Sequence, residues 1–270
     1  MHKLRAWFLL PARLVNFVCF VVPLCIVLAY SLLSRGVYGG VEQPWTFENY
    51  RRLVDPLYLG IFLRSFWIAG LATLLCLVLG FPLAWFIARS SVRRRTLYLN
   101  LVMIPFWTSF LVRTYAWMFL LRDTGLINTV LLATGIIAEP LPLLYNNGAV
   151  LLGLVYGYLP FLVLPVYTSL EKIDLSMMEA AADLGARPIT AFWQVVVPMA
   201  KPGMRAGSIL VFISCIGTYL TPDLLGGSKT IMIGNVVQNQ FTAARDWPFG
   251  AACSLLLMGL VMLFLRSDEL

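Results

Sequence analysis

Six times along its 270 residues the chain runs 17 residues or more with almost no charge, at 14–33, 63–87, 97–121, 148–170, 206–222 and 249–265. Wound as an α-helix rising about 1.5 Å per residue, a run of this kind crosses a hydrocarbon core roughly 30 Å thick. Backbone groups in lipid have no water to bond, so only helices or closed barrels can span it. Barrel strands need segments of about ten residues alternating apolar and polar, and the sequence offers none. The implied fold class is all-α: a polytopic membrane protein, one domain over 1–270 with six transmembrane helices. Composition agrees, with 60% hydrophobic and 12% charged residues, against roughly a quarter charged in soluble domains.

The first run resembles a signal peptide, since Lys3, Arg5 and Arg13 precede it and Ala29-Tyr30-Ser31 loosely suggests a cleavage site. Its length exceeds the roughly 7–15 residues of a signal-peptide core, so it reads as an uncleaved anchor. Twelve basic residues fall on the side of the termini, around Arg5, Arg93 to Arg95, Arg187 and Arg205, and six on the other. Positive loops stay inside, so both termini are expected on the cytoplasmic side. The net charge of +7 is thereby a topology signal, implying membrane lipid and no nucleic acid as partner. All five cysteines lie within apolar runs without CxxC spacing and read as small core residues.

Enzyme chemistry has little to work with. His2 is the only histidine, which removes His-based triads and His-rich metal sites, so no catalytic residue and no metal site is nominated. Gly226-Gly227-Ser228-Lys229-Thr230 resembles a phosphate loop, but that motif needs glycine where Ser228 and Asp223 stand. Any nucleotide must bind another chain. A secondary carrier or channel is the alternative class; carriers use acids at mid-bilayer, whereas every Asp and Glu here lies outside the six runs.

The expected cytoplasmic loop 171–205 is patterned unlike a tether. Asp174 can cap a helix over Leu175 to Leu184, with Gly185 just past its end. Pro188 suits the first turn of a second helix, Ile189 to Val197, which Pro198 is expected to stop. Ala180, Ala181 and Ala182 give a narrow surface, and Glu179 and Asp183 share one face four residues apart. The hairpin suits a groove on another protein. The alternative, an amphipathic hairpin lying on the bilayer, requires a large apolar face that the alanine-rich helix lacks.

Glu179-Ala180-Ala181, three residues, Gly185, nine residues, then Val195-Val196-Val197-Pro198 resembles the EAA motif of binding-protein-dependent ABC importer permeases, with Val195 and Val197 in place of Ile and Leu. Phe47-Glu48-Asn49-Tyr50, Asp55-Pro56-Leu57-Tyr58, Pro105-Phe106-Trp107-Thr108, Asp223-Leu224-Leu225-Gly226-Gly227 and the segment from Arg245 to Ala252 look like the spermidine/putrescine permeases of the PotB type. The resemblance implies a type I ABC importer transmembrane domain. Its partners would be a second permease, commonly a different one, a cytoplasmic ABC ATPase dimer holding ATP and Mg2+, and an extracytoplasmic solute-binding protein. This chain would bind no cofactor itself. The EAA loop would be the coupling element, carried by Glu179, Ala180, Ala181, Asp183, Gly185 and Pro198.

Candidates for the solute pathway follow from residue chemistry. Asp223 beside Tyr219 offers a carboxylate and an aromatic face to an ammonium group; a contact to the binding protein is the competing reading. Tyr115, Trp117 and Trp107 either line the cavity or form the interfacial aromatic belt. Arg113 stands sixteen residues into the third run, roughly 24 Å up a continuous helix. It either snorkels to the outer boundary, as Arg64 would, or lines the path and repels polyamines. Gly153/Gly157 and Gly203/Gly207 mark close helix packing, within the subunit or at a permease seam.

Overall fold

The structure, a computed structural model, describes residues 2–267 apart from Leu175, and side chains from Leu14 onward apart from Phe264 and Ser267. The side chains of His2, Lys3, Arg5 and Arg13 thus lie outside the described residues. The chain forms two compact units, residues 1–61 with 236–270, and residues 62–235.

In the first unit, α1 (His2–Ser31) packs along α12 (Trp247–Ser267), with a hairpin of β1 (Leu33–Arg35) and β2 (Val41–Trp45) and the short α2 (Glu48–Leu53) between them in sequence. The first expected span, 14–33, ends earlier, at Ser31. Polar Ser34 and Arg35 begin an antiparallel ladder that pairs Ser34 with Glu42 and Arg35 with Val41. Its turn needs Gly39 and Gly40 at φ +92° and +81°, a region that costs glycine nothing. Buried Asn49 ties α2 to the end of α1, its amide donating to the carbonyls of Ser31 (2.9 Å) and Leu33 (2.8 Å). Asp246 is also buried: it accepts from Arg52 at 2.8 Å and caps α12 by accepting from the Phe249 N–H at 3.2 Å. The Arg52 guanidinium stacks 4.1 Å from the Phe249 ring. Burial pulls its pKa down, but the hydrogen bond and charge of Asp246, together with Tyr58, outweigh this and hold it above the usual arginine value.

The second unit contains most of α3 (Pro56–Arg89), then α4 (Val92–Trp107), α5 (Phe110–Leu121), α6 (Leu126–Ala133), α7 (Asn147–Leu170), α8 (Ser176–Asp183), α9 (Pro188–Ala191), α10 (Val197–Gly217) and the start of α11 (Ile233–Phe241). Its densest packing joins α7 to α10. A side chain at Gly203 would strike the Pro165 carbonyl, and Gly207 lies against the Leu162 backbone, so this glycine pair serves packing within the subunit. Helix α3 buries Ala69, Ala72, Cys76, Gly80 and Ala84 at steps of three and four, a stripe of small residues that brings Leu162 of α7 against Gly80.

Among the described residues, the stretches long and apolar enough to cross a membrane are Leu14–Ser31, Pro56–Arg89, Phe110–Ala133, Asn147–Leu170 and Pro188–Gly217, with Trp247–Leu263 apolar but shorter. Three expectations are corrected. The run 97–121 is not one helix: α4 and α5 break at Thr108 and Ser109, which are extended at ψ 152° and 135°. The Thr108 hydroxyl donates to the Pro105 carbonyl at 2.7 Å, offering the backbone an alternative to the next helical bond. The run 206–222 is displaced, since α10 begins at Val197 and stops at Gly217, with Thr218 extended at ψ 144°. Finally, Pro198 does not stop the loop's second helix. Residues Phe192–Val196 form a π turn that leads directly into α10. Pro198 then occupies the first turn of the following α-helical segment, where its missing N–H and fixed φ are tolerated.

Candidate functional site

The loop hairpin builds from its caps. Asp174 accepts from the Ser176 N–H at 3.0 Å at the start of α8; Leu175, the expected first helical residue, lies outside the described residues. At the other end the Gly185 N–H donates to the Ala182 carbonyl at 2.8 Å and the Ala186 N–H to Ala181 at 3.0 Å. These paired bonds form a Schellman turn, which requires a left-handed residue, and Gly185 stands at φ +83°. α8 then packs on α9 and the π turn. Glu179, Ala180, Asp183 and Gly185 are exposed, Ala181 is half-buried, and Pro198 is exposed at the foot of α10. Large apolar side chains stand out beside them: Leu184 is 90% exposed, Ile189 69% and Trp193 62%. Three exposed apolar groups next to two carboxylates make a surface suited to a protein partner.

A second feature is an open groove of about 380 Å³ lined by Phe110, Tyr158, Phe161, Ser214, Gly217, Thr218, Tyr219 and Leu220. Its volume falls in the roughly 300–1,000 Å³ range of small-molecule sites. The backbone produces it twice over: α5 restarts at Phe110 after the Thr108–Ser109 break, and α10 ends at Gly217. Four aromatic rings present π faces that attract cations, although the Phe110 ring already lies 5.7 Å from the Arg113 guanidinium. Tyr219 lines the groove, and Asp223 lies one turn on, its N–H bonded to the Tyr219 carbonyl at 3.0 Å in the π turn Pro222–Gly226. The Asp223 side chain is exposed. Phe110, Tyr158 and Phe161 were not singled out from sequence. The three-residue spacing of Tyr158 and Phe161 places both on one face of α7, a signal readable only once Phe110 is known to start a new helix.

Other candidates lie elsewhere. Trp117 packs edge-on against Tyr156 at 5.4 Å and borders a small cavity with Arg113, Thr114, Gly153 and Gly157. Tyr115 and Trp107 are exposed and line neither this cavity nor the groove. Arg113 is half-buried. Its Nε and Nη1 are buried without a hydrogen-bond partner, and the guanidinium lies 5.5 Å from the Phe106 ring and 5.7 Å from Phe110. The 24 Å rise assumed a continuous helix, and the Thr108–Ser109 break removes that premise. Arg64 is exposed, with Nη1 donating to the Lys229 carbonyl at 3.3 Å. Gly153 packs on Leu225 and Thr221 of the same chain.

Residues 80–268 match the family described as binding-protein-dependent transport system inner membrane component. The chain belongs to that family. This permease is 44% identical over 253 residues to the spermidine/putrescine transport system permease protein PotB of Escherichia coli (strain K12), covering 92% of each. It is 39% identical to PotB of Haemophilus influenzae, covering 92% of this chain and 88% of that one. It is 37% identical to the inner membrane ABC transporter permease protein YdcU of E. coli, covering 87% and 80%. In fold, the permease resembles a chain of a bacterial ABC transporter that imports the acidic polysaccharide alginate, at TM-score 0.74 and 15% identity over 98% of this chain and 96% of that one. A second structure, an alginate ABC transporter in complex with its oligosaccharide-bound periplasmic protein, matches at 0.73 and 16% identity, covering 96% and 91%. At such identities the likeness concerns the fold alone. An all-α polytopic membrane protein with a permease role in the inner membrane is therefore what the sequence encodes.

Proposed function

We propose that this permease is one half of the transmembrane pathway of an ATP-driven importer for spermidine, putrescine or a related cationic amine. A second permease completes the pathway, an ABC ATPase dimer holds ATP and Mg2+ on the cytoplasmic side, and an extracytoplasmic protein delivers the solute. Both termini face the cytoplasm. The observation that carries this reading is the exposed hairpin at Glu179-Ala180-Ala181 and Gly185, whose Schellman turn and protruding Leu184, Ile189 and Trp193 suit a groove on the ATPase. The hydrolytic chemistry belongs to that partner.

The amine assignment draws on the PotB relatives and on the aromatic groove lined by Tyr219, with Asp223 one turn further along the chain. Ring faces favour ammonium groups, an attraction that the Arg113 guanidinium 5.7 Å from the Phe110 ring opposes, so the relatives carry more of the amine assignment than the groove does. Affinity purification of the tagged chain from cells expressing the whole operon tests the assembly. The expected result is recovery of a nucleotide-binding subunit, with ATP hydrolysis by the complex and none by the chain alone. Robust hydrolysis by the isolated chain would overturn the proposal.

A further inference from the structure

The hairpin is bound to the rest of its unit by two arginines on either side of the α3–α4 turn at Ser90 and Ser91. Arg89 closes α3. Its guanidinium stacks 4.1 Å from the Trp85 ring, and its Nη2 lies 2.7 Å from Sδ of Met178 on α8. Trp85 in turn packs edge-on at 5.5 Å against Phe192 of the π turn, as Phe81 does at 5.9 Å. Arg95 stands in the first turn of α4. Its Nε donates to the Ser90 carbonyl at 2.9 Å, and its Nη1 pairs at 3.1 Å with Oε1 of Glu171, the residue that caps α7. The segment leading from α7 into α8 is thus held at both ends, at Glu171 and at Met178.

The placement of Arg95 is costly on its own terms. The first turn of α4 carries Arg93, Arg94 and Arg95 and no acidic residue, although the positive end of a helix dipole disfavours cations. Topology needs basic residues only somewhere in the loop, so their place in this turn calls for a local reason, and Glu171 supplies one for Arg95. The pair is open to water, with 27% and 42% of the two side chains exposed, so it adds little to stability.

We propose that Arg95 and Glu171, with Arg89 as a second tether, are positioning residues that deliver displacement of the α8 hairpin to α4. The inference rests on the coupling role proposed above for that hairpin. α4 runs as one helix to Trp107, with Pro105 in its last turn, and beyond the extended Thr108–Ser109 link α5 begins with Phe110 of the aromatic groove. A pull on Glu171 therefore reaches the groove wall along one helix and one hinge, without requiring α7 to bend.

The test uses the complete importer in vesicles, with solute uptake and ATP hydrolysis measured on the same preparation and normalised to assembled complex. Arg95→Glu and Glu171→Arg singly should each lower solute imported per ATP by about fivefold, the low end of usual coupling between sites, while the ATPase still co-purifies. The double variant, which restores the pair with its charges exchanged, should recover most of the loss. A merely structural role would change the amount of complex and leave this ratio alone. Singles with the unmodified ratio, or a double variant as impaired as the singles, would overturn the proposal. Gly185→Val separates the two layers: if it uncouples while the Arg95 and Glu171 variants do not, only this inference fails. If Gly185→Val also couples normally, the hairpin reading itself falls.

Discussion

Gly185→Val probes the hairpin without touching anything else. No atom lies within 4 Å of where a Cβ would sit at Gly185, so the substitution causes no clash, and its whole effect comes from φ +83°. An L-residue held there costs about 1–2 kcal/mol, with β-branched residues at the upper end. Against this stand two backbone bonds of the Schellman turn and the packing of a two-turn helix that buries no residue. A penalty of about 1.4 kcal/mol is tenfold in population, so a hairpin otherwise biased to this geometry by a similar amount becomes an even mixture. Uptake per ATP should fall about twofold while membrane insertion and the affinity of the solute-binding protein stay unchanged. Asn, which tolerates the left-handed region, should restore much of the activity that Val removes. Solute-stimulated ATP hydrolysis and uptake in reconstituted vesicles measure both. Val and Asn variants that behave alike, both at the unsubstituted level, would refute the reasoning.

Glu179→Lys, an exposed charge reversal on α8, should weaken ATPase co-purification without affecting the yield of inserted chain. Arg52→Ala leaves the buried Asp246 carboxylate without its cation and should lower stability by about 1–3 kcal/mol, discounted because Arg52 itself is 40% exposed, as read by thermal unfolding in detergent. Gly203→Val forces a side chain onto the Pro165 carbonyl and should cost about 1–3 kcal/mol or more, seen as reduced folded yield. Tyr219→Ala and Asp223→Asn should raise the solute concentration for half-maximal uptake without lowering ATPase docking; if neither changes it, the groove is not the solute path.

How much could be read beforehand differs by element. The spans at 63–87 and 148–170 were legible because long apolar runs fall within α3 and α7, and Gly185 was legible because a glycine after an alanine-rich helix announces its own turn. The α4–α5 break was not: Thr108 and Ser109 interrupt hydropathy too little to register, and what separates the helices is a hydroxyl bonding back to Pro105. The continuation through Pro198 was missed for a related reason. A proline reads as a stop unless a π turn shifts the helical register just ahead of it, and such turns leave no mark on composition. The aromatic groove depended on both backbone irregularities, so its residues stayed hidden while Tyr219 and Asp223, conspicuous by residue type, did not. The burial of Arg113 Nε and Nη1 was not legible because a continuous helix would have carried the residue farther up.

The most direct test is uptake of radiolabelled spermidine and putrescine into proteoliposomes that contain this permease with its partner permease, ATPase and solute-binding protein. Accumulation should require ATP and the binding protein, persist when the proton gradient is collapsed, and stop when the ATPase cannot hydrolyse. Accumulation driven by a proton gradient without ATP would instead make the chain a secondary carrier and contradict the account.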